Sequence, residues 1–319
     1  MTSGQVVDEV DAWVGQYAAT RAHLEDQLTA AARHAWLSFE GWYDAQLVAE
    51  LAAELSGLSG HAQDLLIGAA QQYVGSVVGV LRGRRVEIPP VTVPPIRGGV
   101  DPQIVYSRPA EVYRMAVATG SGERDAVEKA VVRAETLGAT DLMLAGRGAQ
   151  HEQMKALKVT RYRRVLRPEL SKHGSCGLCI AASSRIYTIG NLLPIHGGTC
   201  NCETVAIDGA NDPGHTLNQD DLDRLYAAAG STAADDLKRV RAVVHEHGEL
   251  GPVLAREGHE FRGPKRVALE DDPARARQML TKVRPVLATL EQRAAAGEDV
   301  TGPLEYQRGL LDRLEHIAA

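Results

Sequence analysis

All four cysteines of this 319-residue chain fall within 27 residues, at Cys176, Cys179, Cys200 and Cys202. They read Cys-Gly-Leu-Cys and then, beyond a gap that ends in His196, Cys-Asn-Cys. A CxxC turn aims two thiolates at one ion, and a second pair about twenty residues later completes a tetrahedron. In an extended Cys-x-Cys segment alternate side chains point the same way, so both can ligate. The Gly197-Gly198 pair lets backbone approach closely. The expected ligands are therefore Cys176, Cys179, Cys200 and Cys202, with His196 able to stand in for one thiolate and His173 a weaker candidate. The expected ion is zinc, and its role structural, because four protein ligands leave no open position for water. Three other readings stay open at this level. The thiols could form two disulfides in a particle that meets an oxidising exterior. Cys176 and Cys179 could be a redox pair, although no βαβ pattern surrounds them. The four could be unrelated buried thiols.

The rest of the chain reads as helix. Aromatic residues make up only 4% and alanine is frequent, which favours helix over sheet. Val7, Val10, Trp13, Val14 and Tyr17 recur at three- and four-residue steps, and the pattern continues through Leu24, Leu28, Trp36, Leu47, Leu51 and Leu55. Gly57, Gly60 and the nearby serines are expected to break it before Leu65–Leu81. All three tryptophans lie in the first 42 residues, and a bundle core accounts for them more simply than an aromatic docking surface does. The proline-rich run 88–96 reads as a semi-rigid connector. Helix is expected again at Ala110–Ala118, Arg124–Leu137 and Asp141–Leu157, the last capped by Thr140.

Residues 158–208 break the helical pattern, and short strands or loops around the cysteines are expected there. Beyond Pro213-Gly214 come helices at Asp220–Ala229 and Ala234–Val244. A hairpin follows, with 250–254 and 260–262 flanking a turn at 256–258, and then closing helices from Pro273 and Pro303. The fold class is thus mainly α with a small α+β central domain. The expected divisions are an N-terminal helical bundle at 1–87, a linker at 88–105, a metal-stapled centre at 106–214, and C-terminal helices with the hairpin at 215–319. No secretory leader is expected from the first residues, and no apolar run reaches the roughly 20 residues of a membrane span.

Charge is unevenly spread. From Lys155 to Arg185 there are eight basic residues and one acid, Glu169, a net of +7 in a chain that totals −6. Lys158, Arg161, Arg163, Arg164, Arg167 and Lys172 are therefore candidate phosphate-contacting residues, and Tyr162 could stack on a base. The plainer alternative pairs these arginines with acids from elsewhere in the fold.

Around the same residues the chain resembles a known family. The runs Arg163-Arg164-Val165-Leu166-Arg167-Pro168-Glu169-Leu170-Ser171, Gly174-Ser175-Cys176-Gly177-Leu178-Cys179, Leu193-Pro194-Ile195-His196 and Cys200-Asn201-Cys202 resemble the phage Mu F-like (MuF) minor head proteins. The likeness is greatest to versions carried by tailed phages of actinobacteria, which Glu246–Leu254 also resembles. It covers residues 160–207, and the usual His-Pro-x-Cys-x-Cys ending is here His196-Gly-Gly-Thr-Cys200-Asn-Cys202. The resemblance implies a minor capsid protein that enters the procapsid in few copies. It would act in the host cytoplasm during assembly and then in the virion, at the portal, in head morphogenesis and DNA packaging or ejection. The implied partners are portal protein, major capsid or scaffold protein, and packaged DNA, with no membrane. The resemblance also implies a central domain likened to ADP-ribosyltransferases, and, for some members, a role as capsid maturation protease.

The residues themselves assemble no catalytic set. Ser171, Ser175, Ser183 and Ser184 lie near His173 and His196, but no Gly-x-Ser-x-Gly elbow is present. His245-Glu246-His247-Gly248-Glu249 lacks the second histidine of a zinc-protease helix and reads as a polar helix end. The expectation is a non-enzymatic assembly protein, with capsid maturation protease as the alternative.

Overall fold

A computed structural model of the chain describes residues 1–170, 177–190, 201–228, 242–247, 249, 251–256 and 272–319. It is mainly helical, with a small three-stranded antiparallel sheet, as the periodicity and composition imply. The helices are α1 (Ser3–Leu37), α2 (Ala45–Arg82), α3 (Pro102–Ala118), α4 (Glu123–Ala156), α5 (Gly177–Ser183), α6 (Pro213–Ala228), α7 (Pro273–Ala295) and α8 (Thr301–Ala318). The strands are β1 (Arg161–Val165), β2 (Ile186–Thr188), β3 (Glu203–Ile207), β4 (Ala242–His247) and β5 (Gly251–Arg256).

Two compact units interleave along the sequence. One comprises residues 1–26, 60–99 and 139–261, the other 27–59, 100–138 and 262–319. Both draw on the long helices because those helices carry continuous buried stripes. On α2 these are Val48, Ala52, Leu55, Ser59, Ala62, Leu66, Ala70, Tyr73, Val77 and Leu81, at steps of three and four.

Two expected breaks are absent. Gly57 and Gly60 lie inside α2, where a Cβ on either would meet nothing within 4 Å, so both glycines face away from packed neighbours. The chain reverses instead at 38–44, beside Trp36, Phe39 and Trp42. Likewise 124–137 and 141–157 form one helix, and Thr140 is a buried interior residue rather than a cap. Gly138 is there for close approach: a Cβ at that position would lie 3.1 Å from Leu28 Cδ2. By length and mean hydropathy α2 is apolar enough to cross a membrane, and half of that apolar window is buried, as in a core helix.

In the second unit, Trp36 and Trp42 are core residues, stacked at 5.4 Å, with Trp42 stacked on Tyr113 at 4.1 Å. Val48, Leu55, Val105, Tyr106, Val131 and Leu137 surround them. Asp272 caps α7 by accepting from the Ala274 and Arg275 amides, and α7 pairs with α8 through Leu280, Val283, Leu310 and Leu314.

The first unit holds the sheet, ordered β2-β1-β3, with Tyr162 opposite both Tyr187 and Ala206, and Arg164 opposite Thr204. Its helical part closes tightly on α4. Tyr17 of α1 stacks on Tyr73 of α2 at 4.9 Å, and a Cβ on Gly146 would lie 2.5 Å from the Tyr17 hydroxyl and 3.0 Å from Leu66. Overpacking of this kind costs about 1–3 kcal/mol, and the gain in helix propensity returns about 1. Gly146→Ala is therefore expected to lower stability, by up to about 2 kcal/mol, in urea unfolding.

The hairpin pairs β4 with β5, Ala242 opposite Arg256 and His247 opposite Gly251. This shifts it from the expected place, turns residues 242–244 from helix to strand, and puts Glu246 and His247 on a strand rather than at a helix end. Residues 260–262, the expected second arm, lie outside the described residues.

Candidate metal centre and buried polar network

Strand β1 carries the basic run, and its alternation sends successive arginines to opposite faces. Arg161 is exposed and donates to the Gly209 carbonyl at 2.7 Å. Arg163 is 5% exposed; its guanidinium grips both carboxylate oxygens of Asp212 (2.6 and 3.0 Å) and donates to the Ser183 and Ser184 carbonyls. Arg164 is fully buried and directs Nη1 at Cys179 Sγ, 3.8 Å away. Arg167 donates to the Asp11 carboxylate at 2.8 Å. Lys158 is exposed and takes the left-handed position that closes α4, with φ 58°.

The expected phosphate-contacting face therefore does not hold for Arg163, Arg164 and Arg167. Their charges are committed inward, to acids and a thiol remote in sequence. Lys158 and Arg161 remain at the surface, and Lys172 lies outside the described residues. Tyr162 is 2% exposed and stacks on Tyr187, so it is no base-stacking platform.

Of the five expected metal ligands, Cys179 and Cys202 are described; Cys176, His196 and Cys200 lie outside the described residues, as does His173. Cys179 sits in α5 and is 6% exposed, while Cys202 leads into β3 and is 4% exposed. Burial is the first cause pushing the Tyr187 phenol up. Arg164 and Arg185 oppose it, and Cys202 and Cys179 both add to it. The second cysteine of each pair thus lies within the electrostatic reach of one tyrosine. Among the described residues no three His, Cys, Asp or Glu side chains converge. The two thiols are the donor type that a thiophilic ion takes.

Arg147 of α4 donates to both Cys202 Sγ and the Cys202 carbonyl at 3.2 Å. It leads into a second polar cluster. Arg21 of α1 is 5% exposed and donates through Nε to Glu203 Oε1 at 2.9 Å, and Gln150 Nε2 donates to the other oxygen at 3.3 Å. The Thr204 hydroxyl donates to Gln150 Oε1, and the Tyr73 hydroxyl to the Thr204 carbonyl. Burial drives the Tyr73 phenol well up, and Glu203 and Tyr17 add to that.

Glu25 belongs to the edge of this cluster. Burial raises its carboxyl above the usual range against the pull of Arg21, and Asp26 and Glu203 raise it further. A raised folded pKa stabilises below the unfolded value and is lost as pH rises through the folded one. Glu25→Gln should therefore raise the melting temperature at pH 7, with the advantage vanishing below the ordinary carboxylate range; a thermal melt series across pH checks this.

Sequence reasoning missed Arg21, Arg147, Gln150 and Glu203. One signal was available: Arg21 falls on the buried stripe of α1, four residues after Tyr17 and three before Leu24. A charge at such a position requires a buried partner. Ser183 is buried with its hydroxyl donating to the Ile180 carbonyl, and Ser184 is exposed. Away from the thiols, a groove of about 1400 Å³ runs between the start of α1 and the end of α2, past Trp13, Gly79, Arg84 and Arg85. Comparison with protein-family models, curated proteins and solved structures finds no match.

Proposed function

We propose that this chain is a non-enzymatic minor capsid protein of MuF type, acting at the portal of the assembling phage head around a zinc-stapled centre. Its phage role rests on the motif resemblance across residues 160–207. One structural observation favours scaffold over enzyme: the motif residues that are described spend their chemistry internally. Arg163 is tied to Asp212, Arg164 approaches Cys179, Arg167 is tied to Asp11, and both described thiols are buried. A motif serving catalysis would present polar groups to a substrate; this one locks β1, α5 and β3 together. In this reading zinc supplies cross-linking only, held by thiolates from Cys179, Cys202, Cys176 and Cys200, with His196 as the alternative to one of them.

Co-expression with portal, shell and scaffold proteins of an actinophage that encodes such a chain tests the reading. The expected result is co-sedimentation with procapsids in few copies, with shell and scaffold uncut. Procapsids that exclude the chain would overturn it. Shell or scaffold cleavage lost on Ser175→Ala or His173→Ala would replace it with the protease.

A further inference from the structure

Three segments remote in sequence meet at one corner of the sheet-bearing unit. Arg82, in the last turn of α2, donates through Nε to Asp208 at 2.6 Å and through Nη2 to the Leu157 carbonyl at 3.0 Å. These bonds join the end of α2 to the end of α4 and to the turn that follows β3. Asn211 of that turn donates to the Leu81 carbonyl at 3.3 Å, and Arg161 at the start of β1 donates to the Gly209 carbonyl. Residues 81–85, 157–161 and 208–211 therefore share one surface. They carry five positive side chains, Arg82, Arg84, Arg85, Lys158 and Arg161, and one carboxylate, Asp208, which Arg82 holds. Arg84, Arg85, Lys158 and Arg161 are exposed, and among the described residues none of the four has an acid partner. Helix ends attract cations, but Arg82 already meets the end of α4, and four charges remain. Like charges gathered without partners repel one another, so the corner is arranged for an anion from outside, in a chain whose total is −6.

We propose that this corner binds the phosphate backbone of a nucleic acid duplex, through Arg84 and Arg85 from α2's end and Lys158 and Arg161 from the turn into β1. The basic run around the cysteines nominated only the last two; folding supplies the others. Two observations select the partner. The exposed residues of the three segments are the four cations with Gly83, Thr160 and residues 209–211, so the surface lacks the large apolar centre of a protein interface. Three of the five cations are guanidiniums outside the basic run or at its edge, whose fork matches phosphate oxygens. The neighbouring groove offers Trp13, but Glu9 and Glu87 also line it, which keeps a phosphate chain to the corner and leaves no ring for stacking single-stranded bases. Contacts of this kind read charge and not sequence. The proposal stands apart from the metal-stapled centre, and its failure would leave that reading untouched.

The test titrates the full chain into a fluorescein-labelled DNA duplex of arbitrary sequence and follows anisotropy at several salt concentrations. Four phosphate contacts predict a slope of about −3.6 for log affinity against log salt, so affinity should fall about 100-fold between roughly 50 and 200 mM salt. Arg84→Gln/Arg85→Gln and Lys158→Gln/Arg161→Gln should each reduce that slope by about 2, whatever the DNA sequence. Lys129→Gln/Arg308→Gln removes the same charge from exposed positions of the other unit and should leave the slope unaltered. A control that weakens binding as much as the corner variants would overturn the proposal, because net charge alone would then account for it. So would a wild type that binds no duplex, or corner variants that keep native circular dichroism and the full slope. Poly-glutamate bound more tightly than DNA at the same salt would reassign the corner to an acidic protein. Arg161 also bonds the Gly209 carbonyl, so where its variant does not fold, Arg84→Gln/Arg85→Gln decides alone.

Discussion

Glu203→Ala should destabilise the sheet-bearing unit by about 3–5 kcal/mol, the cost of breaking one side of a buried ion pair. Glu203 and Arg21 have side-chain exposures of 2% and 6%, so neither can turn to water when its partner is removed. The loss removes the acceptor of Arg21 Nε, whose guanidinium keeps Glu25 at 3.2 Å and Asn201 Oδ1 at 3.1 Å, and leaves Gln150 Nε2 without that acceptor. Amide exchange of β1, which pairs on both sides in the order β2-β1-β3, is the sensitive readout; it should accelerate on the order of 10²- to 10³-fold. The double substitution Arg21→Met/Glu203→Leu removes both charges and should recover most of the loss, since apolar replacement of a buried pair is often neutral or better. Unchanged protection in Glu203→Ala would mean that water reaches the pair.

Trp42→Ala should cost the other unit a comparable amount, about 3–5 kcal/mol. Trp42 is 5% exposed and stacks between Tyr113 at 4.1 Å and Trp36 at 5.4 Å, with Phe39 edge-on at 5.3 Å. Removing it opens a cavity bounded by rigid rings that cannot collapse inward. Urea unfolding followed by Trp36 fluorescence reads this unit, because Trp36 shares the same cluster. Trp42→Phe keeps much of the packing and should lose well under half as much. An alanine variant within 1 kcal/mol of wild type, roughly the level of an ordinary surface change, would show that the aromatic cluster does not hold the unit together.

The helices were legible because burial imposes the three- and four-residue steps that the sequence displays. Val10, Val14, Tyr17, Leu24, Leu28 and Trp36 are all buried on α1. Helix ends were less so. Gly57 and Gly60 look like punctuation in one dimension, but the buried stripe from Leu55 to Leu66 carries α2 through them. The hairpin was displaced because Ala242–Val244 also continues a helical spacing, and strand pairing with 254–256 is a non-local fact.

The basic run misled for a related reason. A local count of +7 ignores Asp11 and Asp212, which lie far off in sequence and adjacent in the fold. The cysteine spacing correctly marked the region where strands replace long helices, and β1, β2 and β3 bracket it. It could not reveal Arg147, which sits on a helix 55 residues before Cys202 and reaches the thiol only through folding.

The most direct test of the account is metal analysis of the purified full chain together with its intact mass under native and denaturing conditions. The account predicts one zinc ion per molecule, lost on denaturation, and a polypeptide mass that retains every thiol hydrogen. A metal-free protein whose mass has fallen by the hydrogens of one or two disulfides would contradict it, because sulfurs joined covalently would then staple the centre instead of an ion.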